Sequence, residues 1–174
     1  MNRNELSKAI YEVAHLEGTF ILRSGQVSNE YFDKYLFESS PSILVAIAKQ
    51  LTKLIPENTE VLAGLEMGGI PIATALSIET GIPVVFVRKK AKEYGTCKLA
   101  EGIDIRDKKV CIIEDVVTTG GQILISAGDL RGFGANLEHV LCVIERTPEG
   151  RRKLQEAGLN LIPLFTMEEL KKKL

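Results

Sequence analysis

Residues 110 to 122, VCIIEDVVTTGGQ, hold the side chains with the most readable chemistry in this chain. An apolar run ends in two carboxylates, Glu114 and Asp115. A hydroxyl and glycine segment follows, and a new apolar period begins at Ile123. That order predicts a buried strand, a tight loop and a helix start. The loop Thr118-Thr119-Gly120-Gly121 can turn several backbone N–H groups inward at a helix N-terminus, where they bind an anion such as phosphate. Two acids beside such a cradle would repel the phosphate unless they serve another part of the ligand. Vicinal hydroxyls donate hydrogen bonds to carboxylates, so the predicted ligand has a phosphate close to a diol, as a ribose 5-phosphate does. The bland alternative is an ordinary strand-to-helix connection with solvated acids. A Walker loop is excluded because no Gly-Lys-Ser/Thr occurs, and no G-x-G-x-x-G follows a strand.

A second cluster, Arg88-Lys89-Lys90-Ala91-Lys92, puts four cations in five residues directly after an apolar run. The polar, glycine-containing stretch from Glu93 to Asp107 then shows no period. Two readings are open: a solvated basic loop, or a mobile lid that brings positive charge onto a polyanion. Beside a sugar phosphate, the lid is favoured. Cys111 and Cys142 sit in apolar runs and are expected to be small core residues. Cys97 lies in a polar loop and is assigned no role. His15 and His139 have no acid or cysteine pattern around them, and structural or surface roles are expected for both.

Other elements must position these groups. Leu6, Ala9, Ile10, Val13 and Leu16 recur at helical spacing over Glu5 to Leu16, with Gly18 as the stop. Thr19 to Leu22 and Val27 to Tyr35 predict a hairpin around Ser24-Gly25-Gln26. Pro41 opens a second helix. From Glu60 onward strands and helices alternate: strands at 61–64, 83–87, 110–113, 137–144 and 159–164, helices at 69–79, 121–132, 149–157 and 166–173. Short apolar strands separated by helices predict an α/β fold, a central parallel sheet flanked by helices on both faces. Glu66-Met67-Gly68-Gly69, Arg88-Lys89, Glu114-Asp115 and Glu145-Arg146 each follow a predicted strand. Open α/β sheets bind ligands at that edge, so four distant segments converge on one site.

At 174 residues the chain is expected to form a single domain over 1–174, able to bury roughly 70% of its unfolded surface. A net charge of −1 argues against a non-specific nucleic-acid binder. The start at Met1 lacks a basic-then-apolar signal pattern, and no apolar run approaches 18 residues. A cytoplasmic location is expected, with no membrane or nucleic-acid partner.

The 110–122 segment resembles the phosphoribosyl-pyrophosphate (PRPP) signature of the type I phosphoribosyltransferases. Within them the chain resembles the orotate phosphoribosyltransferases. Arg88-Lys89-Lys90-Ala91-Lys92-Glu93-Tyr94-Gly95 is similar to that family's basic loop. Phe20-Ile21-Leu22-Arg23-Ser24-Gly25 with Tyr31-Phe32-Asp33 is similar to its N-terminal hood element. Gly64-Leu65-Glu66-Met67-Gly68-Gly69-Ile70-Pro71 resembles its pyrophosphate loop, and Ile144-Glu145-Arg146 its base-site arginine.

The resemblance implies the type I phosphoribosyltransferase fold, with a small hood over about residues 1–38 and a mobile lid over about 89–108. It implies transfer of the 5-phosphoribosyl group from PRPP to orotate in pyrimidine (UMP) biosynthesis, with Lys89, Glu114 and Asp115 as catalytic groups. PRPP would be bound by Arg88, Lys89, Lys92, Tyr94, Glu114, Asp115, Val116, Val117, Thr118, Thr119, Gly120, Gly121 and Gln122. Orotate would be bound by Thr118, Arg146 and Arg23, with Tyr31 in the hood. Mg²⁺ is the implied cofactor, held through PRPP rather than by protein ligands. A homodimer is implied, in which Lys89 and Lys92 serve the partner's site. Two positions depart from many bacterial members: Gly69 replaces a lysine, and Tyr94 replaces a histidine. A purine or other base as acceptor is the nearer alternative, and a non-catalytic PRPP-sensing regulator the more distant one.

Overall fold

The computed structural model describes residues 1–21, 25–89 and 99–172. The chain opens with α1 (Arg3–Ala14), the hairpin β1 (His15–Ile21) and β2 (Val27–Phe32), then α2 (Lys34–Glu38) and α3 (Pro41–Leu51). It continues through β3 (Val61–Leu65), α4 (Glu66–Thr80), β4 (Val84–Val87), β5 (Ala100–Glu101), β6 (Lys109–Val117) and α5 (Gly121–Gly132). The last elements are β7 (Asn136–Glu145), α6 (Pro148–Glu156), β8 (Asn160–Thr166) and α7 (Met167–Lys172). The start of α1 is fixed by a reciprocal cap. The Asn2 side chain accepts from the backbone N–H of Asn4 and Glu5 at 2.9 and 3.0 Å, and Glu5 accepts from the Asn2 N–H at 2.8 Å. Leu6, Ile10 and Ala14 then form its fully buried stripe.

The main sheet has the order β5-β4-β3-β6-β7-β8. Strands β3, β4, β6, β7 and β8 run parallel, and β5 is an antiparallel edge. Alternate residues of each strand supply two separate cores. Leu62, Cys111, Ile113, Leu141 and Val143 pack with α1, α3 and α4, while Val61, Ala63, Val110, Ile112 and Val140 pack with α5 and α6. A sheet buried on both faces needs strands that are apolar throughout, as these are.

The structure refines several expectations. The sheet is mixed rather than wholly parallel; β5 is only two residues long and lies in the stretch whose sequence has no period. Strand β6 continues through Glu114 and Asp115 to Val117, because register with β7 extends to Val117 beside Glu145. Helix α4 begins at Glu66, three residues earlier than the apolar period suggests. Strand β1 begins at His15, and β2 ends at Phe32, where the Asp33 carboxylate caps α2 by accepting the Tyr35 N–H at 3.1 Å. Cys111 and Cys142 are buried as expected.

Candidate active site

Strand order reverses between β3 and β6, since the chain leaves β3 toward β4 and β5 but leaves β6 toward β7 and β8. That switch point opens a crevice at the C-terminal strand ends. One lip is the start of α4, Glu66 to Gly69. The other is the end of β6 and the loop into α5.

The β6–α5 loop is braced from beneath. The Arg146 N–H donates to the Val117 carbonyl at 2.8 Å, and the Thr147 hydroxyl donates to the Thr118 carbonyl at 2.8 Å. Gly150 of α6 lies so near that a Cβ there would stand 2.7 Å from the Thr118 carbonyl oxygen. Gly120 adopts φ +72, a left-handed turn that costs a side-chain-bearing residue about 1–2 kcal/mol. The turn ends the loop at the α5 N-terminus without any side-chain cap. Its first N–H groups are therefore available to an anion, next to the exposed Thr118, Thr119 and Gly121. Val116 and Val117 point into opposite cores, so they offer backbone rather than side chains to a ligand. Gln122 is half-buried and donates to the Ser126 hydroxyl at 3.4 Å.

The two acids differ. Asp115 is 1% exposed, and its carboxylate is ion-paired to the Lys34 ammonium from α2. Glu38, one turn further along α2, is also buried and faces the same carboxylate. Glu114 is half-buried beside them. Burial, and then the negative charge of Asp115, push the Glu38 carboxyl up to about 9 and the Glu114 carboxyl up to about 8. Burial opposes the charge on Lys34, yet the hydrogen bond and charge of Asp115 outweigh it, and its pKa is raised.

Beside the α4 lip, Glu66, Met67, Phe86, Arg88, Lys89 and Glu101 line a cavity of about 620 Å³. Arg88 lies 3.6 Å from Glu101, and its N–H donates to the Leu99 carbonyl at 2.9 Å. Glu66 has φ +51, and its carboxylate accepts the Lys89 N–H, tying the basic segment to this lip. A second cavity, about 410 Å³, lies between the hood hairpin and the end of β7. Tyr11, His15, Tyr31, Phe32, Arg146 and Thr147 are among its walls. Glu145 pairs with Arg151 at 2.6 and 2.8 Å rather than with Arg146, whose exposed guanidinium stays at this cavity.

The structure thus places Glu114, Asp115 and Thr118 to Gln122 at the end of β6 and in the loop after it, with the Arg146 backbone bonded to Val117, while Arg88 and Lys89 follow β4 and are tied to the α4 start through Glu66. Arg23, Lys92 and Tyr94 lie outside the described residues. Lys34 and Glu38, which pack against Asp115, were not singled out by the sequence reading. Lys34 and Glu38 share one helical face at i, i+4, but their five-residue helix is too short to announce itself by period. His15, for which a structural or surface role was expected, stacks on Tyr11 at 4.8 Å and meets Glu30 at 2.9 Å.

Residues 38–157 match the phosphoribosyl transferase domain family. The chain is 50% identical over 165 residues to an orotate phosphoribosyltransferase of Nocardioides sp., covering 95% of this chain and 92% of that protein. A solved structure of the Mycobacterium tuberculosis orotate phosphoribosyltransferase is similar at 25% identity with a TM-score of 0.88, covering 98% of this chain and 99% of the other. The same enzyme in complex with PRPP shares the fold at a TM-score of 0.84 and 23% identity, over 98% and 99% of the two chains. With its switch-point crevice, braced β6–α5 loop and this degree of identity, the chain belongs to the orotate phosphoribosyltransferase family.

Proposed function

We propose that the protein transfers the 5-phosphoribosyl group of PRPP to the ring nitrogen of orotate, giving orotidine 5′-phosphate and pyrophosphate in pyrimidine biosynthesis. One observation carries the reading. The uncapped start of α5 and a pair of acids lie on one lip of the crevice, and the Arg88-Lys89 segment is tied through Glu66 to the α4 start that forms the other. A ligand with a phosphate, a diol and a polyanionic leaving group fits that order. The backbone N–H groups of Thr118 to Gln122 hold the 5-phosphate, and the Glu114-Asp115 pair holds the ribose hydroxyls. Arg88 and Lys89, with Lys92, Tyr94 and Arg23 from segments outside the described residues, complete the substrate contacts. Arg146 offers a planar donor pair to the carboxylate and carbonyls of orotate. The C1–O bond breaks with its electron pair on pyrophosphate, and the orotate nitrogen supplies the pair for the new C1–N bond. The protein supplies position and charge, with no covalent protein intermediate.

Mg²⁺ is the implied cofactor. It would be held through the oxygens of bound PRPP, the hard donors such a cation takes, rather than by protein ligands, with Glu114 and Asp115 nearby holding the sugar hydroxyls. Bound with PRPP, the metal would offset charge on the leaving pyrophosphate.

The working unit is a homodimer. Val45, Ile78 and Pro71 line an apolar groove between α3 and α4, and Met67, Phe86 and Pro71 continue it beside Arg88 and Lys89. Met67 is 68% and Ile78 79% exposed, a surface suited to a second copy that receives the basic loop. No helix among the described residues is long and apolar enough to cross a membrane.

The test is direct. Protein, PRPP and Mg²⁺ mixed with orotate should make the orotate absorbance fall, with one pyrophosphate released per orotate consumed. Turnover of adenine, hypoxanthine or guanine instead would overturn the assignment of the base.

A further inference from the structure

Three segments distant in sequence meet at a single ammonium group. Lys34 projects from α2, beside the hood, and pairs with Asp115 at the end of β6. The start of α4 closes on both. A Cβ at Gly68 would fall on the Asp115 carboxylate and stand 3.0 Å from Lys34 Nζ. Asp115 is 1% exposed while the Lys34 side chain is 34% exposed, so the pair is closed on the carboxylate side and reached by solvent from the lysine side. An ammonium carries three N–H donors, and pairing with one carboxylate leaves capacity for a second anion. The α4 lip itself, Glu66-Met67-Gly68-Gly69, brings a carboxylate and no cation to the place where the pyrophosphate must lie.

We propose that Lys34 is a pyrophosphate-binding and catalytic residue of this enzyme, oriented by Asp115 and supplying from the hood side the positive charge that the α4 lip lacks. This rests on the PRPP reading above. Lys34 stands between the acids that hold the sugar and the lip that holds the pyrophosphate, which places it at the C1–O bond. As that bond breaks, the electron pair goes to the pyrophosphate oxygen, and Lys34 stabilises it while keeping its own proton. The incoming base closes the balance, and no further reactant is needed. Glu38, buried against Asp115, is the remaining ionisable partner from α2.

The wild-type reaction with orotate comes first; if it is absent, the PRPP reading fails and Lys34 is not what has been tested. With wild-type turnover established, Lys34→Met should lower kcat and weaken inhibition by inorganic pyrophosphate about ten- to hundredfold. Inhibition by ribose 5-phosphate, which has no pyrophosphate, should stay as in the wild type, and Lys34→Arg should recover most of the loss. Lys34→Gln keeps an N–H for Asp115 and carries the same comparison if the Met variant does not fold. Equal weakening toward both inhibitors would show a counter-charge for Asp115 and overturn the proposal, as would no change toward either.

Discussion

Glu38 shows how one buried carboxyl sets a pH dependence. Its ordinary value is 4.5, and burial beside Asp115 raises it to about 9 in the folded protein. Below the lower value both states hold the proton. Between the two, only the folded state holds it. Unfolding then releases a proton, so this group's contribution to stability is lost as pH rises through that window. Replacing it with a neutral isostere removes that share: Glu38→Gln should gain stability relative to the wild type as pH rises from 5 to 8, read from denaturant midpoints. A constant difference across the range would show that Glu38 is ionised in the folded protein. At this scale the sequence was uneven. Glu114, Asp115, Thr118 and Arg146 were legible because each follows an apolar run that must end at a sheet edge. Lys34 was not, because the site reaches it across the fold from the hood, and nothing in its local sequence points toward β6.

At the scale of elements, the close approach of α4 to β6 decides whether the crevice forms. Glycine at 68 is what lets the helix start pass over Asp115. Gly68→Ala should force that lip outward, costing about 1–3 kcal/mol of stability by overpacking and sharply lowering kcat/KM for PRPP. Wild-type kinetics in this variant would mean that the lip does not hold pyrophosphate. The strand and helix alternation after Glu60 was readable, since each strand is apolar on both faces and each helix follows at once. Strand β5 was hidden because two residues carry no period, and α2 because Val27 to Tyr35 looks like one continuous extended run. Ser24 of the predicted hairpin turn and residues 90–98 of the predicted lid lie outside the described residues.

For the whole molecule, an apolar strip from Val45 and Ile78 to Met67 and Phe86 is left exposed by a single copy. A symmetric contact repeats each residue, so Ile78→Glu would set two carboxylates against an apolar partner, a cost on the order of several kcal/mol. Sedimentation should show dissociation, with activity falling alongside it; an unchanged dimer would move the interface elsewhere. If the basic loop serves the partner's crevice, mixing Lys89→Ala and Asp115→Asn chains should restore partial activity in hybrid dimers, and proven hybrids without recovery would place Lys89 in its own site. The fold class followed from the alternation of strands and helices, whereas a homodimer was implied only by the family resemblance, because no spacing in the sequence tells an apolar surface residue from a core one.

The most direct measurement is a crystal structure with PRPP bound. The 5-phosphate should accept hydrogen bonds from the backbone N–H groups of Thr118 to Gln122, with the ribose diol on the Glu114-Asp115 pair. PRPP bound elsewhere, with that crevice holding only solvent, would contradict the account.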